Sequence, residues 1–194
     1  MIGLIRSALL QNKLAIIPTD TVYGIVCNAF CFCAKQKIFL IKKRSTKKQL
    51  PLMFSSIDSI KRFADLDTFQ EGLIQKLLPG PFTFVVKSKP HLKHFLPKKI
   101  AVRVPDCKVT LKILKKIKFP VAATSTNISG KKEVKNANEL TKYPGRKVCY
   151  VLHSDKKMLG TSSTIIDICE GAPKILRLAR DNAQLLTKLR SLQD

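Results

Sequence analysis

The chain has 194 residues, 45% of them hydrophobic, with 36 Lys and Arg against 13 Asp and Glu and a formal net charge of +23. That length fits one ordinary domain, spanning 1–194, and the composition excludes a disordered or collagen-like chain. No apolar run is long enough to cross a bilayer, and six cysteines without an export signal point to free thiols in a cytoplasmic protein.

At the N-terminus Ile2, Ile5, Leu9 and Leu10 fall on one helical face, while Arg6 and Lys13 interrupt the apolar run, so an amphipathic helix is expected rather than a signal peptide. Residues 14–17 read as a buried strand, closed by Pro18, which has no N–H to give a ladder. The segment Pro18-Thr19-Asp20-Thr21-Val22-Tyr23-Gly24 then packs hydroxyls, a carboxylate and a turn glycine together. This is the composition of a binding loop at a strand end, where α/β proteins hold ligands, and Gly24 is expected to supply a backbone bend.

Further along, 34–42 has helical spacing, 51–54 reads as a short strand, and 57–63 and 69–78 read as helices, the second stopped by Pro79-Gly80-Pro81. Strands are expected at 82–86 and 100–104, a helix over 109–117 and a strand at 121–123. A glycine- and lysine-rich loop at 129–135 precedes a short helix near 137–141. Strands at 148–152, 164–168 and 175–178 and a closing helix over 182–192 complete the chain. Interleaved strands and helices without a repeat predict an α/β fold, a single domain built on one twisted mixed β-sheet flanked by helices.

Several chemistries are disfavoured. There is no Gly-x-x-x-x-Gly-Lys-[Ser/Thr], no Gly-x-Gly-x-x-Gly and no Gly-x-Ser-x-Gly, which argues against a P-loop, a dinucleotide-binding fold and a hydrolase elbow. Cys27, Cys31 and Cys33 match no common zinc spacing, and Pro90 and Pro97 bracket His91 and His94, which read as surface residues. The excess of lysine runs along the whole chain, so it is either a polyanion-attracting surface or a solvated one.

What remains is an inventory of hydroxyls, amides and cations. Arg44 suits a phosphate clamp, because a planar guanidinium makes bidentate contacts that an ammonium cannot, and Lys42 and Lys48 would add point charges. Thr21 and Tyr23 either bond a substrate hydroxyl or carboxylate or satisfy backbone groups in a turn. Ser125 and Asn127 follow the apolar run at 121–123, and Asn offers both donor and acceptor. Asp20 and Asp167 either anchor magnesium or cap local turns.

The Pro18–Gly24 loop, Lys42-Lys43-Arg44, Val102-Arg103-Val104-Pro105, Ala123-Thr124-Ser125-Thr126-Asn127-Ile128-Ser129-Gly130 and Gly160-Thr161-Ser162-Ser163-Thr164-Ile165-Ile166-Asp167 occur in that order. From the first strand to Arg177 the chain resembles the YrdC-like family, whose best-known members are threonylcarbamoyl-adenylate synthases. The resemblance implies the YrdC-like fold. It also implies a nucleotidyltransferase that joins L-threonine, bicarbonate and ATP, with Mg²⁺, into threonylcarbamoyl-AMP and pyrophosphate without a covalent enzyme intermediate.

By position in the family motifs, Thr21, Lys42, Arg103 and Ser163 would bind L-threonine, and Arg44, Lys48, Ser125, Asn127, Glu133 and Arg177 would bind ATP. The product would pass to a separate tRNA threonylcarbamoyl transferase assembly that modifies adenosine beside the anticodon, with direct contact to tRNA left open. The chain resembles the short form of the family, without the extra C-terminal domain. Ser45 replaces a usual proline, Thr126 a usual alanine and Ala179 a usual glycine. The alternatives are a non-catalytic RNA-binding protein of the same fold and a family branch acting on another substrate.

Overall fold

The structure, a computed structural model, describes residues 1–46, 48–127, 150–153 and 158–179. Helix α1 (Ile2–Leu10) leads into strands β1 (Ala15–Ile17) and β2 (Gly24–Asn28), followed by α2 (Phe32–Lys42) and β3 (Leu52–Met53). Helix α3 (Ile57–Lys61), β4 (Ala64–Asp65) and α4 (Thr68–Leu77) precede β5 (Phe82–Ser88), a 3-10 turn at Pro90–Leu92 and β6 (Lys99–Arg103). Then come α5 (Lys108–Leu114), β7 (Val121–Ser125), β8 (Tyr150–Val151), β9 (Thr164–Asp167) and β10 (Lys174–Arg177).

All ten strands join one sheet in the order β10-β9-β5-β6-β3-β7-β2-β1-β8, with β4 added beside β5. The β3–β6, β5–β9 and β1–β8 pairs are parallel and the rest antiparallel, so the expected mixed α/β sheet with flanking helices is present. The sequence reading ran from the 14–17 strand directly into a loop and missed β2. Its five residues pair along their whole length with β7, and four of them are buried.

Side chains alternate across the sheet with the two-residue period of a strand. On one face Ile16, Ile25, Leu52, Phe84, Val102 and Ile166 pack with Ile38 of α2, Ile60 of α3 and Ile74 of α4. On the other, Ala15, Ile17, Val26 and Val121 pack against Ile5 and Leu9 of α1 and Ile113 and Leu114 of α5. Leu10, expected on the buried stripe of α1, is instead 47% exposed, and Ala8 takes the inward position with Ile5 and Leu9.

Local chemistry sets the helix ends. Ser56 and Asp67 form capping boxes with Ser59 and Gln70, and the Cys31 thiol accepts from Ala34 N at 3.4 Å to start α2. Beyond α4, Gly80 is sterically required, because a Cβ there would lie 2.8 Å from the Leu77 carbonyl oxygen. The predicted loop at 129–135 and the helices at 137–141 and 182–192 lie outside the described residues, as does Glu133.

Candidate functional site

Among the described residues, α1 and α5 cover the second sheet face at its β1, β2 and β7 side. Over β9, β5, β6, β3 and β7 the same face lines a cavity of about 670 Å³, within the range of small-molecule sites, about 300–1,000 Å³. Thr83 and Val85 of β5, Ala101 and Arg103 of β6, Met53 of β3, and Ala123 and Ser125 of β7 line it. Their intervening neighbours Phe84, Val102, Leu52 and Ala122 point into the opposite core.

The site therefore lies on a sheet face whose small residues Ala101 and Ala123 leave room for a ligand. The expected binding loop at the end of β1 contributes Thr19, Thr21, Val22 and Gly24 to its lining. The role expected of Gly24 is corrected: the residue begins β2 without a positive φ, and a Cβ there would meet Thr124 O at 3.7 Å and the Met53 methyl at 3.8 Å, ordinary contacts. Its place is on the cavity wall.

Nine of the expected binding residues, all but Glu133, line this cavity: Thr21, Lys42, Arg44, Lys48, Arg103, Ser125, Asn127, Ser163 and Arg177. None of them lines the second, apolar hollow of about 210 Å³ between Phe32, Phe39 and Phe95. Tyr23 is not among the lining residues. It is fully buried in the first core, because the chain between Thr21 and Gly24 is a turn and not the continued strand that would have put Tyr23 on the face of Thr21.

Thr19, which sequence reasoning passed over, organises the turn. Its hydroxyl donates to Val22 O at 2.6 Å, accepts from Thr21 N at 3.2 Å and Val22 N at 3.1 Å, and lies 2.9 Å from the Thr21 hydroxyl. This is a hydroxyl closing a turn on the backbone two and three residues on. Neighbouring segments clamp the loop: Thr110 Oγ1 donates to Pro18 O at 2.5 Å, Leu159 N to Asp20 O at 3.0 Å, and Gly160 N to Thr21 O at 2.8 Å.

Arg103, only 6% exposed, donates from Nη1 to Thr21 Oγ1 at 3.0 Å and from Nη2 to Asp20 Oδ1 at 2.7 Å. Arg103 Nε and Asp20 Oδ2 are buried and have no partner among the described residues. Burial draws the Arg103 guanidinium below its ordinary pKa, and the Asp20 charge and hydrogen bond work against that. Asp20 is the counter-ion of Arg103. Asp167 behaves as a turn cap, accepting from Cys169 N at 2.9 Å, with Lys99 at 3.7 Å.

Lys42 closes α2 and is 3% exposed. Its ammonium donates to Ser125 O at 2.7 Å, to Asn127 Oδ1 at 3.0 Å and to Asn127 O, so it fixes the β7 terminus beside the residues expected to hold ATP. Ser125 Oγ also donates to Asn127 Oδ1, at 2.5 Å, which occupies the acceptor end of that amide. After α2 the left-handed Lys43 lets its own N–H reach Leu40 O and Arg44 N reach Phe39 O, a helix-ending turn that carries Arg44 to the cavity. Arg44 donates to Gln49 O at 3.3 Å, and partial burial lowers its pKa. On the far side Arg177 embraces Ser163 O from Nε at 3.1 Å and Nη2 at 2.8 Å, while the Ser163 and Thr83 hydroxyls lie 2.8 Å apart.

Residues 7–179 match the Sua5/YciO/YrdC family model, described as telomere recombination. The chain belongs to this family. A relative from Methanocaldococcus jannaschii is 33% identical over 91% of this chain and 88% of its own length. One from Pyrococcus abyssi, named threonylcarbamoyl-AMP synthase, is 30% identical over 86% of this chain, which spans only 50% of that protein. Among solved structures, P. abyssi Sua5 complexed with L-threonine superposes with a TM-score of 0.87 at 28% identity, covering 97% of this chain and 56% of that one. The E. coli YciO structure, with a TM-score of 0.84 at 20% identity over 92% of this chain and 89% of that one, shares the fold. Among the described residues no helix is long and apolar enough to cross a membrane.

Proposed function

We propose that this protein is an L-threonylcarbamoyladenylate synthase, a nucleotidyltransferase that makes threonylcarbamoyl-AMP for modification of tRNA next to the anticodon. The observation that carries the reading is the convergence of nine family-matched side chains on one cavity whose described lining holds Lys42, Lys43, Arg44, Lys48, Arg103 and Arg177 and no carboxylate. The reaction joins two anions. The threonine nitrogen takes up carbon dioxide from bicarbonate with loss of water, the resulting carbamate oxygen bonds to the α-phosphorus of ATP, and pyrophosphate leaves.

Such a step needs positioning and charge neutralisation rather than a nucleophilic side chain. Thr21, Arg103 and Ser163, with Lys42 behind the β7 terminus, are assigned to the threonine side. Arg44, Lys48, Ser125, Asn127 and Arg177 are assigned to ATP, together with Glu133. Magnesium fits as a companion of the nucleotide rather than as a resident ion. Asp20 is held by Arg103 and Asp167 by Cys169 N, and the described residues contain no group of three His, Cys, Asp or Glu able to hold a metal. Bound with ATP, the ion would neutralise phosphate oxygens.

The product would be consumed by a separate tRNA threonylcarbamoyl transferase assembly. The test is pyrophosphate release by the purified protein with ATP, Mg²⁺ and bicarbonate. Release should rise on adding L-threonine, and no rise above the threonine-free control refutes the reading.

A further inference from the structure

We propose that Thr83 is a further positioning residue of the site, whose hydroxyl holds that of Ser163 so that the serine donates to an anionic oxygen of the amino-acid substrate. The inference rests on the proposed reading, which puts Ser163 on the threonine side. Thr83 stands outside the motifs that carry the family resemblance, and the sheet brings it in. In the parallel β5–β9 pair Thr83 lies opposite Ile165. Ser163 comes just before β9 and two residues before Ile165, so the two-residue period of a strand turns all three to one face, and all three line the cavity.

Thr83 is 1% exposed and Ser163 6%, and their hydroxyl oxygens lie 2.8 Å apart. Among the described residues, the one other group in hydrogen-bond reach of either hydroxyl is Arg177 Nη2, 3.4 Å from Ser163 Oγ, and a guanidinium only donates. Two hydroxyls bring two protons, and the contact between them uses one, whichever gives it. The second proton has no acceptor among the described residues, and a buried donor left that way is costly. It is therefore presented to the cavity. Ser163 is the less buried of the two and receives the guanidinium on one lone pair. Thr83, donating from beneath, fills the other and leaves the serine only its proton to offer.

Whatever meets that proton has to accept it. An ammonium has no lone pair, and a described lining with six cations and no carboxylate gathers negative charge, so an anionic oxygen fits. Arg177 grips Ser163 O from Nε at 3.1 Å and Nη2 at 2.8 Å, which fixes the serine backbone, while Thr83 aims its hydroxyl. Two groups on the amino-acid side carry such an oxygen: the carboxylate of L-threonine and the N-carboxylate made from it with bicarbonate.

Binding of L-threonine alone and of ATP alone is measured by calorimetry on the full chain, beside pyrophosphate-release kinetics. The variants are Thr83→Val, Thr83→Ser and Ser163→Ala, each checked for folding by its thermal midpoint, with Thr83→Ala in place of Thr83→Val if the latter does not fold. Thr83→Val should weaken L-threonine binding roughly 3- to 10-fold, the size of one neutral hydrogen bond, if the carboxylate is the acceptor. It should instead lower kcat by the same factor, with binding unchanged, if the N-carboxylate is. In both cases ATP binding should stay within about twofold and Thr83→Ser should recover most of the loss. In a Ser163→Ala background Thr83→Val should add less than about twofold, because Thr83 acts through the serine.

The proposal is overturned by a folded Thr83→Val with unchanged L-threonine binding and kcat, by an equal loss of ATP binding, or by a Thr83→Ser no better than Thr83→Val. Ser163→Ala without either loss overturns it even if no Thr83 variant folds. If the wild type binds no L-threonine and releases no threonine-dependent pyrophosphate, the proposed function falls as well. If it turns over threonine and Thr83→Val does so equally well, only this inference fails.

Discussion

Replacing Arg103 by Met keeps the aliphatic stem of the side chain and deletes the guanidinium. Two hydrogen bonds from a charged donor are lost, to Asp20 at 2.7 Å and Thr21 at 3.0 Å, and the Asp20 carboxylate, with a side chain 10% exposed, is left without its cation. Breaking a buried pair on one side typically costs about 3–5 kcal/mol, because the surviving charge stays desolvated. That is a large share of the roughly 5–15 kcal/mol that holds a domain together. With a urea dependence of about 2 kcal/mol per molar, a loss near 4 kcal/mol moves the unfolding midpoint down by about 2 M. Asp20→Asn in the same background removes the stranded charge, so Asp20→Asn/Arg103→Met should recover about 2 kcal/mol or more relative to Arg103→Met alone. The reasoning is refuted if Arg103→Met loses less than about 1 kcal/mol, or if the double variant is as unstable as the two single losses added together.

Gly80→Ala should destabilise the fold by roughly 1–3 kcal/mol in the same urea assay, since its methyl would meet the Leu77 carbonyl oxygen at 2.8 Å. Lys42→Met leaves Ser125 O and Asn127 Oδ1 without their ammonium donor, and on the proposed reading, which gives Lys42 to the threonine side and Ser125 and Asn127 to ATP, should raise the KM for both L-threonine and ATP by roughly tenfold in the pyrophosphate assay. For Asp167, burial pushes the carboxyl up, but hydrogen bonds from Cys169 and the Lys99 charge outweigh it and hold the group below its ordinary value of 3.8. A depressed carboxyl contributes stability above the unfolded value and loses it as pH falls through the folded one, so Asp167→Asn should flatten the fall in stability below about pH 4 by under about 1 kcal/mol. Thiol titration at pH 8 should find one fewer fast-reacting group in Cys33→Ser, because Cys33 is exposed, whereas Cys27, pushed up to about 12 first by burial, should label only on unfolding.

How far the sequence revealed the fold depended on where each signal was local. Pro79-Gly80-Pro81 ends a helix by its own chemistry, and α4 stops at Leu77. β2 was hidden because Gly24, at its start, reads as a turn residue. What makes 24–28 a strand is the ladder it forms with β7, nearly a hundred residues away in the chain. The motif residues were legible as a set, and the cavity gathers them. Their division of labour was not, since the partners of Lys42, Arg103 and Arg177 lie 83, 82 and 14 residues away. The face on which they meet was likewise silent, although Ala101 and Ala123, small residues alternating with Val102 and Ala122 of the core, are the trace it leaves in sequence.

Those long-range partners sort the six cations into two groups with different tasks. Lys42, Arg103 and Arg177 are each tied to a hydroxyl residue of the cavity, through Ser125 O, Thr21 Oγ1 and Ser163 O. Charge-assisted bonds of this kind fix a donor or acceptor more firmly than a neutral contact would. Lys43, Arg44 and Lys48 come instead from the segment after α2, where Arg44 reaches Gln49 O over a long 3.3 Å contact. A guanidinium held that loosely can reorient onto phosphate oxygens, and the flanking lysines follow it as point charges. Charge by itself attracts any polyanion, and the excess of +23 over the whole chain does so indiscriminately. Selectivity has to come from neutral groups held in fixed positions, and the three anchored cations hold the segments that carry Thr21, Ser125 and Ser163 in place.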